Sequence, residues 1–203
     1  MKPIILASAS PRRKKLLQQI NLEFQVHASN VTEGYDSSLS PAEVVQTLAQ
    51  RKALDVAQRY HEALIIGADT IVAHKDTILE KPATYEAAEQ MLHELSGSTH
   101  SVLTGVTLCQ NTFGKDQRVH TFFEETHVTF GKLRSEDITQ YVQSGSPMDK
   151  AGSYGIQDDF GAIFVKRIEG DYNTVVGLPL YAFYQSMIQF APEFLATNHP
   201  TKQ

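Results

Sequence analysis

The chain has 203 residues, a hydrophobic content of 41%, a charged content of 20% and a net charge of −5. These values are ordinary for a soluble globular protein, and they exclude a general nucleic-acid coat, which carries a strong basic excess. The single cysteine, Cys109, excludes an intrachain disulfide and a metal site with several cysteines, and its apolar neighbours indicate a core position. Without an apolar stretch of membrane-spanning length or a visible secretory signal, we expect a cytoplasmic protein.

The first residues combine a strand, a helix start and a cluster of cations. An apolar strand is predicted over 3–7, and it leads into a helix over 11–20. Ser10 is a favourable N-cap for this helix. The N–H groups of such a helix start bind anions, and Arg12 and Arg13 add forked donors. The pattern predicts a phosphate-binding turn, and it equally fits a solvated basic face beside an ordinary cap.

A second helix start follows a polar segment over 29–40, which we interpret as a loop. Ser40 and Glu43 form a capping box around a proline, and the helix is expected to extend to about Tyr60. Lys52 lies on or beside the apolar stripe of this helix. On these residues alone, two roles are open for it. Its stem could cover apolar surface while its ammonium group reaches water, or it could bind a ligand.

An acidic residue interrupts the most apolar segment of the chain. Residues 63–73 are typical of a central strand, and Asp69 lies inside it. A carboxylate in that position is costly unless it is paired, protonated or bound to a metal, which favours a functional role. Pro82 ends the next short strand, so Glu80 and Lys81 should lie near Asp69. Such a cluster suits a metal–phosphate site, and it also suits a surface salt bridge.

The rest of the chain mixes helices and strands without a repeat or a linker. Further helices are predicted over 84–95, over 135–143 and from Pro179 to about 190, and further strands over 23–28, 100–110, 117–130 and 161–168. The small residues of 147–157 predict a loop that approaches a neighbour closely. We expect one α/β domain with a mixed sheet over 1–190, followed by a frayed polar tail over 191–203.

Several common catalytic signatures are absent from the sequence. It has no phosphate-binding P-loop, no dinucleotide-binding glycine motif, no G-x-S-x-G elbow and no histidine spacing for zinc. Carboxylates, lysines, arginines and hydroxyls remain as the polar groups available for chemistry. These groups suit a hard divalent cation together with a polyphosphate.

Five segments taken in order carry a resemblance to a known family: 7–13 (ASASPRR), 67–70 with 80–82 (GADT, EKP), 95–102 (LSGSTHSV), 149–157 (DKAGSYGIQ) and 176–179 (VGLP). Together they resemble the Maf family of nucleoside triphosphate pyrophosphatases, over roughly residues 3–190. The resemblance implies a Maf/ITPase-like α/β fold, with an elongated mixed sheet flanked by helices and a central cleft, commonly as a homodimer.

The same resemblance implies an activity. Such enzymes hydrolyse a nucleoside triphosphate to the monophosphate and pyrophosphate with a divalent metal, Mg²⁺ or Mn²⁺. The family is also linked to inhibition of septum formation. The alternative is therefore a nucleotide-binding regulator of cell division with incidental hydrolysis. A third interpretation, a nucleic-acid patch at residues 12–15, is poorly supported on an acidic chain. No stable nucleic-acid or membrane partner is expected.

The resemblance further implies roles for individual residues. Asp69 matches the family's proton acceptor, and Asp69 with Glu33 would hold the metal. The other residues carried over are the catalytic lysines Lys52 and Lys81, the cleft residues Ser8, Ser10 and Arg13, and the base-preference residues Arg12, Thr70 and Gln157. The arginine, threonine and glutamine together resemble the subgroup that acts on dTTP and UTP. Lys52 is thereby expected to bind phosphate.

Overall fold

The structure, a computed structural model, describes residues 2–75, 77–112, 117–157 and 159–196. The strands are β1 (Ile4–Leu6), β2 (Gln25–Val26), β3 (Ala63–His74), β4 (Thr77–Leu79), β5 (Thr99–Asn111), β6 (Arg118–Phe130) and β7 (Val165–Glu169). The α-helices are α1 (Pro11–Gln19), α2 (Pro41–Ala57), α3 (Tyr85–Leu95), α4 (Ser135–Gln143), α5 (Tyr172–Val176), α6 (Leu180–Phe190) and α7 (Pro192–Ala196). Short 3₁₀ helices cover Ser146–Asp149, Ala151–Ser153 and Asp159–Phe164.

The seven strands of the described residues all belong to one mixed sheet. Its order is β2-β1-β3-β5-β6-β7, and β4 pairs with β3. Strand β1 is parallel to β2 and β3, whereas β4 is antiparallel to β3 and β7 is antiparallel to β6. The predicted α/β class with a mixed sheet and flanking helices is confirmed. The elongated outline and the central cleft stay predictions.

The chain groups into two compact units. The first comprises the residues up to Asp69, Thr104–Glu124 and the residues from Gly177 onward, and the second comprises Thr70–Leu103 and Glu125–Val176. Strands β3, β5 and β6 each contribute residues to both units. In the described residues no helix is long and apolar enough to cross a membrane.

In the first unit, α2 packs unusually close to the sheet. A Cβ built on Gly67 of β3 would lie 2.3 Å from the carbonyl oxygen of Ala49, and one on Gly105 of β5 would lie 2.3 Å from that of Val45. Glycine is therefore needed at both positions for the helix backbone to approach the strands. The core beside this contact includes Ile5 from β1. The capping box at Ser40 forms as predicted and fixes the start of α2.

The second unit has its own aromatic core. The ring of Phe130 contacts those of His100 and Tyr154 edge to face, and Tyr141 packs edge to face on Phe164. Helices α3 and α4 pack together around this cluster. Gly161 lies against it, because a Cβ there would meet the Tyr141 hydroxyl at 2.7 Å.

Three of the predicted elements need correction. The strand over 23–28 is reduced to Gln25–Val26, and both residues are exposed. The strand over 161–168 begins only at Val165, because residues 159–164 form a 3₁₀ turn. The loop over 147–157 contains two such turns.

The C-terminal prediction also changes. Residues 192–196 form α7 instead of a frayed tail, since Phe194 and Leu195 are buried. Residues 197–203 and most of the predicted turn between β5 and β6 lie outside the described residues.

Candidate active site

The turn between β1 and α1 is built by serine hydroxyls. Ser10 is the N-cap, as predicted, and its Oγ accepts a hydrogen bond from the Arg13 amide at 3.4 Å. The Oγ of the buried Ser8 accepts from the Ser10 amide and from Nη1 of Arg13, both at 3.2 Å. The turn thus places two hydroxyls and a guanidinium group at the N-terminus of α1, where an anion is favoured.

Arg13 is buried although it lies in the first turn of α1. Its Nε donates a hydrogen bond of 2.8 Å to the carbonyl oxygen of Gly177. Burial lowers the pKa of the Arg13 side chain and the nearby Arg12 lowers it further, while the charges of Asp69 and Glu33 raise it. A guanidinium group stays protonated even when it is buried in this way. Arg13 therefore supplies a fixed positive charge that interacts with the carboxylates of Asp69 and Glu33.

Gly177 is a positioning residue that the sequence interpretation missed. Its backbone φ of 122° lies in the region that favours glycine, and its carbonyl aims the Arg13 guanidinium. The only available signal was the VGLP segment at 176–179, which matched the family without any assigned role.

An ion-paired triad lies between α2, β3 and the loop over 29–40. Nζ of Lys52 is 2.5 Å from Oδ1 of Asp69 and 2.7 Å from Oε1 of Glu33. The side chains of Lys52 and Asp69 are 11% and 10% exposed, whereas that of Glu33 is 55% exposed. The Lys52 ammonium group therefore does not reach water by snorkelling, because it is held between two carboxylates.

The close contact of α2 with β3 explains how Lys52 meets Asp69. Gly67 lies against Ala49 and Ala53, so the helix backbone next to Lys52 is nearly in contact with the strand two residues before Asp69. A buried carboxylate is tolerated there because a buried ammonium group compensates its charge.

The predicted site residues are divided between the two units. Ser8, Ser10, Arg12, Arg13, Glu33, Lys52 and Asp69 belong to the first. Thr70, which follows Asp69 on β3, is half-buried and belongs to the second unit with the exposed Lys81 and Gln157. The approach of Lys81 to Asp69 stays a prediction.

Comparison with known proteins identifies the family. The sequence profile described as Maf-like protein matches residues 3–190. The chain belongs to the Maf family. A Maf relative from Geobacillus sp. (strain WCH70), named dTTP/UTP pyrophosphatase, is 52% identical over 180 residues, covering 89% of this chain and 94% of that protein. One from Halalkalibacterium halodurans with the same name is 51% identical, covering 89% of this chain and 92% of that protein.

Similarity to solved structures is much weaker than similarity to these Maf sequences. A HAM1 protein from Coxiella burnetii shares 15% identity with a TM-score of 0.46, covering 93% of this chain and 100% of that chain. A dITP/XTP pyrophosphatase from Mycobacterium abscessus shares 12% identity with a TM-score of 0.43, covering 66% of this chain and 76% of that chain.

The carboxylates of this Maf chain fit a metal ion only in part. Among the described residues, no three histidine, cysteine, aspartate or glutamate side chains cluster as a metal site. Mg²⁺, however, is commonly bound by one or two carboxylates together with substrate phosphates. Glu33 and Asp69 therefore fit an ion that phosphate oxygens help to bind, and they do not form a complete site on their own.

Proposed function

We propose that this Maf protein hydrolyses dTTP and UTP to the nucleoside monophosphate and pyrophosphate. The observation that carries the proposal is the buried Asp69 carboxylate, paired with Lys52 and close to the charge of Arg13. The names of its relatives support the choice of substrates. A protein that only senses nucleotides has no need of a buried acid among cations, so the regulatory alternative is not favoured.

The phosphate chain binds at the turn between β1 and α1. Ser8, Ser10 and Arg13 are the donors there, since their hydroxyl and guanidinium groups meet at the start of the helix. Lys52 and Lys81 bind further phosphate oxygens in this proposal. Lys52 can do so while retaining Asp69, because an ammonium group has three donors.

Asp69 acts as the general base. It accepts a proton from a water molecule, and the water oxygen attacks the α-phosphorus. As the new bond forms, the bond from that phosphorus to the bridging oxygen breaks, and pyrophosphate leaves with the electron pair. Lys52 orients the Asp69 carboxylate. Because the protein forms no covalent bond to the substrate, positioning and charge compensation supply most of the rate acceleration. A Mg²⁺ or Mn²⁺ ion held by Glu33 and Asp69 would neutralise phosphate charge.

In this proposal, the nucleobase of the substrate is selected by Arg12, Thr70 and Gln157. The amide of Gln157 has both a donor and an acceptor, which matches the N3–H and O4 edge shared by uracil and thymine. Gln157 is exposed in the free protein and is therefore accessible to a ligand. A homodimer, a cytoplasmic location and the absence of a stable nucleic-acid partner remain predictions.

Steady-state release of pyrophosphate tests the proposal. With Mg²⁺ present, dTTP and UTP should be hydrolysed faster than dCTP, ATP or GTP, and chelation of the metal should stop the reaction. Asp69→Asn should reduce kcat by about 10²–10⁴-fold, the usual contribution of a general base. Asp137→Asn, which alters a carboxylate paired with Arg134 on the surface, is the matched control and should retain the rate. Wild-type turnover by Asp69→Asn would contradict this assignment.

A further inference from the structure

Glu33 is placed by a loop that has no regular secondary structure of its own. Its side chain is 55% exposed, yet its carboxylate meets Nζ of Lys52 at 2.7 Å. Burial does not fix an exposed side chain, so the position of this carboxylate depends on the backbone that carries it. The loop over 29–40 must therefore be held by contacts from another element.

Arg51 of α2 supplies the first of these contacts. Its Nη1 donates to the carbonyl oxygen of Gly34 at 2.6 Å, and its Nη2 donates to that of Thr32 at 2.9 Å. These two carbonyls stand immediately before and after Glu33 in the chain. A planar guanidinium group can bridge two acceptors in a fixed geometry, which a lysine ammonium group does less rigidly.

Asp55 lies one helical turn further along α2 and holds the start of the same loop. Its Oδ2 accepts hydrogen bonds from Ser29 Oγ at 2.9 Å and from the Asn30 amide at 3.2 Å. These hydrogen bonds also lower the pKa of Asp55, so the carboxylate is a charged acceptor at neutral pH. Arg51 and Asp55 are four residues apart and therefore lie on one face of the helix.

We propose that Arg51 and Asp55 are positioning residues, which hold the loop over 29–40 on α2 so that Glu33 reaches the Lys52–Asp69 pair. The inference rests on the proposed function, because Glu33 acts in catalysis there. Helix α2 then positions both members of the Lys52–Glu33 ion pair. It carries Lys52 itself, and the neighbouring Arg51 holds the backbone around Glu33. Loss of either contact frees the backbone around Glu33 and leaves Lys52 and Asp69 in place.

Kinetics in two backgrounds test this coupling. Arg51→Ala should lower kcat for pyrophosphate release by about 10–100-fold, because a misplacement of the order of 1 Å can cost that much. In a Glu33→Gln background the same substitution should change kcat by less than about twofold, since its effect passes through Glu33. Arg51→Lys should recover part of the loss. Gln50→Ala, an exposed neighbour on α2, is the matched control and should leave kcat unchanged.

If Arg51→Ala lowered kcat by the same factor in the Glu33→Gln background as in the wild type, the proposal would be overturned, because Arg51 would then act independently of Glu33. A drop in activity of Gln50→Ala equal to that of Arg51→Ala would also overturn it, because the loss would then be a general effect of altering α2.

Hydrogen exchange provides a readout that does not need activity. Arg51→Ala and Asp55→Ala should each speed exchange of a peptide covering residues 29–36 by at least about tenfold, while Gln50→Ala should not. Unchanged exchange in the first two variants would overturn the inference. If the wild type released no pyrophosphate, the proposed function would fail, and the exchange experiment would still decide whether α2 holds the loop.

Discussion

At the scale of single residues, the pairing of Lys52 with Asp69 buries two opposite charges. Both side chains are about one-tenth exposed, so each charge has lost most of its hydration. Buried ion pairs are often no more stable than apolar replacements, although removal of one partner is strongly destabilising. The pair therefore does not owe its presence to stability, which agrees with the catalytic role proposed for it.

Replacement of Lys52 alone should expose this cost. Lys52→Met leaves the Asp69 carboxylate buried without its cation, and we expect unfolding free energy to fall by about 3 kcal/mol. The double variant Lys52→Met/Asp69→Asn should be more stable than the single variant, because no unpaired charge stays buried. Urea denaturation at neutral pH measures the unfolding free energies of the single and the double variant. If the two substitutions instead add their separate costs, the charges are not coupled as the geometry indicates.

At the scale of elements, α2 organises the first unit. It contacts β3 through Gly67 and β5 through Gly105, and it carries Lys52. The distance between helix and strand is set by the absence of side chains at those glycines. Any increase in that distance moves Lys52 relative to Asp69, so helix packing and the geometry of the ion pair are linked through one interface.

Gly67→Ala tests that link. The new Cβ would overlap the Ala49 carbonyl oxygen and lie 2.8 Å from the Ala53 Cβ, so helix and strand must separate. We expect a loss of about 1–3 kcal/mol of stability by overpacking, together with a lower kcat. The matched control is Gly34→Ala, because a Cβ there meets no atom within 4 Å and should change stability by less than about 0.5 kcal/mol. Equal stability of the two variants would contradict the tight packing.

The first residue of a helix could be predicted from the sequence where a local hydrogen bond fixes it. Ser10 and Ser40 cap their helices as expected, since capping depends on residues three positions apart. The strand over 161–168 was wrong because a short apolar run does not separate strand from turn. Gly161 packs against Tyr141, twenty positions earlier in the chain, and no local pattern could reveal that contact.

At the scale of the whole molecule, the division into two units was invisible in the sequence. The chain passes from one unit to the other at Thr70, Thr104 and Glu125, all inside strands, and again at Gly177. A crossing inside a strand has no loop or linker to mark it. The residue pattern alone pointed to Asp69 and to the turn at Ser10, and the resemblance added most of the other candidates. The pairing of Lys52 with both carboxylates required the fold.

The stability of the molecule should also depend on pH through a histidine in the second unit. His100 on β5 is 2% exposed, and its Nε2 contacts the Tyr154 hydroxyl at 2.9 Å. Its Nδ1 has no hydrogen-bond partner among the described residues. Burial, with a smaller effect of the nearby His74, lowers the pKa of His100 to about 4 from 6.5. The folded protein therefore keeps this ring neutral over a range in which the unfolded chain protonates it.

The sign of the effect follows from that difference. Between about pH 6.5 and 4 the unfolded state binds a proton that the folded state does not, so stability falls as the pH falls through this window. At pH 5 the loss from His100 alone is about 2 kcal/mol, at 1.36 kcal/mol per pKa unit. Urea denaturation at pH 7.5 and 5 should show a smaller difference for His100→Gln than for the wild type, because glutamine does not titrate. Identical losses in both proteins would mean that other groups govern the acid sensitivity.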